Sequence, residues 1–201
     1  AGGPALLFNN VEDADFPCAT NLFGTPQRVE RAFGQRPERF IKQLVQIAQE
    51  LPTLSPGKLW NHRNIVPEAL RVGMKTVRGG PVAEVVQREP DLKRIPMLKT
   101  WPEDGGHFVT LPLVYTHHPD TGHHNLGMYR IQRHDARTVG VHWQIQKGGG
   151  FHYHIAEQRD QALPITLFVG GPPALMLSAI APLPEDLPEL VLASLLQGER
   201  L

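Results

Sequence analysis

The apolar and polar positions in the first part of the chain predict one strand and two helices. Residues 4–10, PALLFNN, form an apolar run that ends at two turn-forming Asn residues, which is typical of a buried strand. Residues 21–34 predict a helix with Thr25 as its N-cap and Pro26 at its first position. In residues 37–51, apolar side chains recur at three- and four-residue steps, as on one face of an amphipathic helix. This part therefore predicts a small α/β segment.

From residue 107 the pattern changes to short runs rich in β-branched and aromatic residues. Four strands are predicted, with the sequences HFVTLPLVYTHH, NLGMYRIQRHD, TVGVHWQIQK and ITLFVGG. The turn sequence HPDTG at 118–122 links the first two strands as a hairpin. Residues 151–162 are predicted to begin extended and become helical, and two helices follow at 172–181 and 187–198. The pattern predicts an α+β fold, with an antiparallel sheet or barrel and helices packed at its ends.

Gly- and Pro-rich sequence marks the transition between these two parts. The tripeptide GGP at 79–81 and the loop-rich stretch 89–106 predict a domain boundary near residue 80. We therefore expect an N-terminal α/β segment over 1–80 and a second domain over 81–201. The chain opens without Met, almost directly on an apolar run, and stops just after a helical pattern, so we expect a fragment at both ends.

Composition narrows the classes of function. The chain has 201 residues, 41% of them hydrophobic, and 20 basic residues balance 20 acidic ones. This balance leaves no basic patch for nucleic acid or for a membrane surface. No apolar run approaches the roughly 20 residues that span a bilayer, and the start lacks the basic region of a signal peptide. A single cysteine, Cys18, excludes an internal disulfide framework and fits a reducing, cytoplasmic compartment.

Four histidines flank the predicted hairpin turn and form the most conspicuous cluster: His117, His118, His123 and His124. A zinc site would need convergent geometry and usually a Cys or carboxylate partner beside the histidines. Because solvated polar residues are expected at a turn in any case, we interpret the cluster as a surface feature, with a metal site as the alternative.

The strand after the turn contains an arginine in an apolar setting. Period-two alternation places Leu126, Met128 and Arg130 on one face of the strand, opposite Asn125 and Tyr129. A charge on an apolar face needs an anionic partner. Spacing alone leaves two interpretations open: a functional anion, or a structural carboxylate at the rim of the sheet.

The next strand carries an uncommon polar row and a glycine triplet. His142, Gln144 and Gln146 share one predicted strand face, and Lys147 precedes three glycines at 148–150. Free backbone N–H groups and a lysine can hold a phosphate, although the P-loop order is absent and a flexible turn is the plainer interpretation.

Two further groups of residues have plain structural explanations. His152 and His154 lie two residues apart, which on a strand means one face, so they are either ligands or a polar edge. Glu185, Asp186 and Glu189 lie at the start of a predicted helix, where the helix dipole favours acids without any function.

Taken together, the motifs resemble those of the UbiD family of decarboxylases, which use prenylated FMN. The matching blocks, in order, are GGPALLFNN, NLFGTPQRV, DLKRIPMLKTWPEDGG, HHPDTGHHNLGMYRIQ and FVGGPPALMLSAIAPLPEDLPELVLASLLQG. They cover nearly the whole chain. The resemblance implies that residues 81–201 form a flavin-binding split β-barrel like that of flavin reductases, and that the family's C-terminal domain is absent from this chain.

The resemblance also implies a role for individual residues. Asn125 and Glu189 match metal-binding positions, so a divalent cation, expected to be manganese, with potassium as a further cation, would lie beside the cofactor phosphate. Arg130 matches the residue associated with the substrate carboxylate and is the catalytic residue expected here. The positions that match cofactor-contacting residues are Met128, Tyr129, Arg130, His142, Trp143, Gln144, Lys147 and Gly148.

Two departures from the family pattern affect these expectations. Gln146 stands where the family commonly has a metal-binding His; its amide oxygen suits a hard cation, or else His152 takes that place. The family's proton-transferring carboxylates lie beyond Leu201, so we predict that this chain is inactive unless completed.

The implied function is that of a carboxy-lyase. It would decarboxylate aromatic or α,β-unsaturated carboxylic acids reversibly and without oxidation, through a covalent adduct with prenylated FMN. A flavin prenyltransferase would supply the cofactor, and the full-length protein is expected to be a homo-oligomer. The alternative is a non-catalytic flavin-binding module or subunit that needs a separate C-terminal part for activity.

Overall fold

The computed structural model describes residues 2–34, 71–144, 146–183 and 188–201. The helix predicted over 37–51 lies outside these residues. The chain divides into two compact units: unit 1 comprises Ala1–Gly24 and Val77–Gly171, and unit 2 comprises Thr25–Thr76 and Pro172–Leu201. The boundary expected near residue 80 stays a prediction.

Unit 1 contains three antiparallel sheets among its described residues. The strands are β1 Leu6–Phe8, β2 Cys18–Thr20, β3 His107–Val109, β4 Pro112–His117, β5 His124–Met128, β6 Ile131–Arg133, β7 Val139–Val141 and β8 Ile165–Val169. Sheet A pairs β1 with β2, sheet B has the order β3-β6-β7, and sheet C has the order β5-β4-β8. The α+β fold class is confirmed. Because the described strands form separate sheets and no closed barrel, the split-barrel arrangement stays a prediction.

The predicted strands are shorter in the structure, since the chain changes sheet within two of them. The run from residue 107 divides into β3 and β4, and the run from Asn125 divides into β5 and β6. Tyr129 and Arg130 lie at this second division, which moves the chain from sheet C to sheet B. The predicted hairpin is confirmed: His117 pairs with His124, and Gly122 adopts the left-handed conformation (φ 70°) that a tight turn requires.

The core of unit 1 lies in sheet C and beside it. Leu113 and Val114 of β4 and Leu126 of β5 are all at most 1% exposed, so both faces of this sheet are covered. The strand predicted in residues 4–10 forms as β1, but the expectation that it is buried was wrong. Its three residues are at least 48% exposed, since β1 pairs with β2 alone in a two-stranded sheet.

Part of the segment predicted to be extended up to residue 154 is helical in the structure. Strand β7 ends at Val141, and α2 spans Gly148–Gln158. The predicted shared strand faces of His142, Gln144 and Gln146, and of His152 and His154, are therefore wrong. Lys147, with extended backbone (φ −111°, ψ 147°), is the N-cap of α2, and the glycine triplet forms its first turn rather than a flexible loop.

Unit 2 is helical in its described part. Helix α1 spans Pro26–Phe33, with Thr25 as its N-cap as predicted, α3 spans Pro173–Ser178 and α4 spans Glu189–Gln197. Its core consists of Ala174, Leu192, Ala193 and Leu196. Within the described ranges, no helix has the length and apolar character needed to cross a membrane.

Candidate functional site

Helix α2 packs across β4 and β5, and two pairs of residues define how it lies on them. Thr116 of β4 lies directly opposite Asn125 of β5, so both side chains point to the same side of sheet C. Gly148 and His152 are one helical turn apart and lie on one face of α2. Gly148 lies against Asn125, and the His152 ring is hydrogen-bonded to Thr116. These two contacts with sheet C therefore fix the position of the N-terminal part of α2.

The contact between Gly148 and Asn125 leaves no room for a side chain. A Cβ at position 148 would overlap Oδ1 of Asn125 and lie 2.9 Å from its Cγ. Glycine allows this close approach, whereas a Cβ would force the Asn125 side chain to move. As a result, the Asn125 amide is held at the first residue of α2.

Tyr129 connects the end of β5 to the same helix turn. It is 3% exposed, and its hydroxyl accepts a hydrogen bond of 3.1 Å from the backbone N–H of Gly149. Its ring meets Trp143 edge-on with centroids 5.0 Å apart, and Nζ of Lys147 lies 5.6 Å from its centroid. Trp143 in turn stacks on Tyr153 of α2. Two aromatic residues and one ammonium group therefore adjoin the start of α2.

The start of α2 has the chemistry of an anion site. The first N–H groups of a helix lack partners within the helix and carry a partial positive charge. Lys147 adds a full positive charge at the N-cap, and Asn125 lies beside Gly148. Backbone N–H groups with a lysine at a helix N-terminus are a common way to bind phosphate. The group Asn125, Tyr129, Trp143, Lys147 and Gly148 is called the α2 site below.

Arg130 lies apart from these contacts, just after β5. Its Nη2 is 2.5 Å from Oδ2 of Asp104, and its guanidinium carbon lies 3.4 Å from the centroid of the Phe108 ring. The Asp104 side chain is 8% exposed and that of Arg130 is 45% exposed. The structure thus supplies a carboxylate partner within the chain. Sequence reasoning missed Asp104 because it precedes Arg130 by 26 residues with no periodic relation to it.

The remaining predicted residues have different environments. Met128 is half-buried and pairs with Leu113 of β4. His142, Gln144 and Gln146 are exposed after β7. Glu189 is the first residue of α4 in unit 2. In the described part of the chain, no three His, Cys, Asp or Glu side chains converge as metal ligands, so the set Asn125, Gln146 and Glu189 stays a prediction.

His152 is a buried histidine of α2 that packs against the hairpin. It is 6% exposed, its Nδ1 lies 2.9 Å from Oγ1 of Thr116, and its ring meets His118 edge-on. Burial, with His118 and His117 nearby, lowers its pKa from 6.5 to about 4. His152 is therefore a neutral packing residue at neutral pH. The interpretation of the turn histidines as solvated needs correction for His118, which packs on His152.

Comparison with known proteins identifies the family. Residues 75–201 match the UbiD model, described as the 3-octaprenyl-4-hydroxybenzoate carboxy-lyase Rift-related domain, and residues 1–48 match the N-terminal domain model of the same enzyme. A Chlamydia caviae protein is 50% identical over 199 residues. A Chlamydia pneumoniae protein, named as a subunit of 4-hydroxybenzoate decarboxylase, is 48% identical over 199 residues. Each alignment covers 99% of this chain and 34% of the relative, so the chain spans about a third of their length.

Solved structures agree on the fold. The closed form of vanillic acid decarboxylase from Sedimentibacter hydroxybenzoicus has a TM-score of 0.76 at 21% identity. This match covers 98% of our chain and 40% of the decarboxylase chain. The UbiD-class enzyme HmfF from Pelotomaculum thermopropionicum, in complex with FMN, has a TM-score of 0.75 at 21% identity, with the same coverage. At this identity the likeness concerns the fold alone. The match over residues 75–201, which is more than half of the chain, shows that this protein belongs to the UbiD family.

Proposed function

We propose that this chain is the cofactor-binding portion of a reversible, non-oxidative decarboxylase that acts on aromatic or α,β-unsaturated carboxylic acids with prenylated FMN. The observation that carries the proposal is the α2 site within residues that match the UbiD model. A phosphate-binding helix start next to two aromatic side chains suits a flavin mononucleotide, which has a phosphate at one end and a flat ring system at the other. In the solved neighbours, HmfF is complexed with FMN and its evolved dimeric form with prenylated FMN.

The cofactor phosphate would bind at the start of α2. A phosphate group carries about two negative charges at neutral pH. The positive end of the α2 dipole and the Lys147 ammonium offset this charge, and the first turn of α2 is already fixed in place by the contacts of Gly148 with Asn125 and of the Gly149 N–H with Tyr129. The residues present therefore fit the phosphate in charge.

A divalent cation would share this end of the site. The Asn125 amide oxygen is a suitable ligand for manganese or magnesium, which prefer oxygen donors. For the further ligand we favour Gln146 over His152. The Gln146 side chain is exposed, whereas Nδ1 of His152 is already bonded to Thr116. Glu189 completes the proposed set.

The flavin ring would lie toward the aromatic side chains, and the reacting carboxylate toward Arg130. Prenylated FMN, when bound, supplies the electron sink that decarboxylation needs. Tyr129 and Trp143 would orient the ring, with Met128, His142 and Gln144 as further contacts. The guanidinium of Arg130 would bind and orient the substrate carboxylate. We extend the proposal to a flavin prenyltransferase as cofactor supplier and to a homo-oligomer of the full-length protein.

A second candidate is a non-catalytic flavin-binding module or subunit. Two observations favour it: the chain spans about a third of its curated relatives, and one of them is named as a subunit. A decarboxylation assay with cinnamate and 4-hydroxybenzoate, using the chain purified with its cofactor, tests the expectation that the chain alone is inactive. We expect bound flavin without turnover. Turnover by the chain alone would contradict the expectation that it needs further carboxylates.

Activity itself is tested in a chimaera in which this chain replaces the matching third of the C. pneumoniae relative. We expect decarboxylation of a hydroxybenzoate-type acid, lost when Asn125→Ala is introduced. A chimaera that binds prenylated FMN but decarboxylates none of these acids would favour the binding module.

A further inference from the structure

The guanidinium of Arg130 is fixed in two directions by its neighbours. The ring of Phe108 lies 3.4 Å from the guanidinium carbon and defines the plane on which the group rests. Oδ2 of Asp104, 2.5 Å from Nη2, fixes its rotation within that plane. A guanidinium has five N–H donors. Among the described residues, the side chain of Arg130 forms one hydrogen bond, from Nη2 to Asp104.

The two partners differ sharply in exposure. The Asp104 side chain is 8% exposed, while that of Arg130 is 45% exposed. The carboxylate therefore lies inside, and the opposite edge of the guanidinium faces outward. This arrangement leaves N–H donors of a held guanidinium available to a second carboxylate arriving from solvent.

The segment that carries Asp104 is itself held in place. The backbone N–H of Asp104 donates to the carbonyl of Trp101, and the next carbonyl, of Gly105, accepts a 2.8 Å hydrogen bond from Nε2 of Gln132 on β6. Asp104 is thus tied to the sheet that follows Arg130. A carboxylate on such a fixed segment can act as a reference point for a long, flexible side chain.

We propose that Asp104 is a positioning residue for Arg130, which it pre-orders for binding the carboxylate of an aromatic acid. This inference rests on the proposed function of Arg130 as the substrate clamp. An arginine that is already ordered loses little conformational freedom when it binds a ligand. Without Asp104, that ordering must take place during binding.

The direction in which Asp104→Ala changes anion affinity distinguishes a positioning role from a purely electrostatic one. Asp104→Ala removes a negative charge near Arg130, which by charge alone strengthens the binding of an anion. If Asp104 positions Arg130, the same substitution instead weakens anion binding, by about tenfold in affinity when the ordering of one arginine side chain is lost. Glu103→Ala is a matched control, because it removes the same charge from the adjacent, exposed residue.

The test is a benzoate titration followed by the NMR signal of the Arg130 Nε–H, in flavin-free and flavin-loaded protein. We expect wild type and Glu103→Ala to bind benzoate alike and Asp104→Ala to bind it about tenfold more weakly. In an Arg130→Ala background, read by ligand-observed NMR, adding Asp104→Ala should change nothing more. Flavin loading should be the same in Asp104→Ala as in wild type, and Asp104→Asn serves if the alanine variant does not fold.

Three results would overturn the proposal. Asp104→Ala could bind benzoate as tightly as wild type or more tightly, it could weaken binding equally without Arg130, or wild type could fail to bind benzoate in both forms. Failure of wild type to load any flavin is a separate outcome, which contradicts the proposed cofactor function while the titration of flavin-free protein still decides the role of Asp104.

Discussion

The two ends of the segment 125–130 are built in different ways. At one end, Asn125 is held within a helix–sheet interface, against the backbone of Gly148. At the other end, Arg130 is half exposed and is held by the side chains of Asp104 and Phe108. The first end depends on main-chain geometry and tight packing, and the second on side-chain chemistry. Changes at the Asn125 end should therefore alter stability and cofactor binding together, whereas changes at Asp104 should alter mainly ligand affinity.

The largest effect is expected for Gly148→Ala. The added Cβ would collide with Asn125, and overpacking of this kind costs about 1–3 kcal/mol of folding free energy. Because the Asn125 amide must move, flavin loading should fall as well. Urea unfolding and absorption of the purified protein measure the two effects.

Two further variants show whether the collision is the cause. At Gly79, a Cβ meets nothing within 4 Å, so Gly79→Ala should leave both measurements near wild type. Adding Asn125→Ala to Gly148→Ala should restore stability to that of Asn125→Ala alone. Full flavin loading in the single variant Gly148→Ala would contradict the account of this end.

The next effect is a pH dependence from His152. Its pKa is lowered from 6.5 to about 4, so the unfolded state takes up a proton at higher pH than the folded state does. The stabilisation is complete above pH 6.5 and is lost as pH falls from 6.5 to about 4, by up to about 1.4 kcal/mol per pH unit. In His152→Gln, the free energy of unfolding should therefore depend less steeply on pH between pH 4 and pH 6.5 than in wild type. His123→Gln, in the exposed part of the turn, should keep the wild-type pH dependence.

A smaller effect is expected for Tyr129→Phe. The substitution keeps the packing against Trp143 and removes the hydroxyl that accepts the hydrogen bond from the Gly149 N–H. Losing one such bond costs about 0.5–1.5 kcal/mol. Hydrogen exchange of the Gly149 amide should accelerate, while Tyr153→Phe, whose hydroxyl bonds to the exposed Glu157, serves as the control. Unchanged protection of Gly149 would show that Tyr129 does not hold the helix start.

The smallest effect is expected at the far end of α2. Arg159, just after the helix, forms an exposed ion pair with Asp120 of the hairpin turn. Exposed pairs contribute about 0.2–1 kcal/mol. Arg159→Ala should therefore reduce stability slightly and leave flavin loading intact. A loss of stability as large as that of Gly148→Ala would contradict this expectation.

Patterns local in sequence predicted the hairpin, the cap of α1 and the α+β class. Turn residues and N-caps act over a few residues, and the contacts that satisfy them are local. The strand predicted over TVGVHWQIQK forms only as β7, because its β-rich composition was not enough to continue the strand to Lys147. The three glycines that follow are poor helix formers, yet they begin α2, where a Cβ at position 148 would collide with the Asn125 side chain.

The sequence identified residues of the candidate site but not all of the contacts between side chains there. Asn125, Tyr129, Lys147 and Gly148 were identified through the family resemblance, and the structure brings them together. The partnership of Arg130 with Asp104 could not be found from spacing, because the two residues meet only after the chain has crossed between sheets.

The central claim is that the start of α2 binds the phosphate of a flavin. Its most direct test is the cofactor mass and absorption spectrum of this chain purified after co-expression with a flavin prenyltransferase. We expect bound prenylated FMN in wild type, strongly reduced loading in Asn125→Ala and Lys147→Ala, and unchanged loading in Lys75→Ala, whose residue lies in unit 2. Absence of any flavin from wild type, or equal loading in all four proteins, would contradict it.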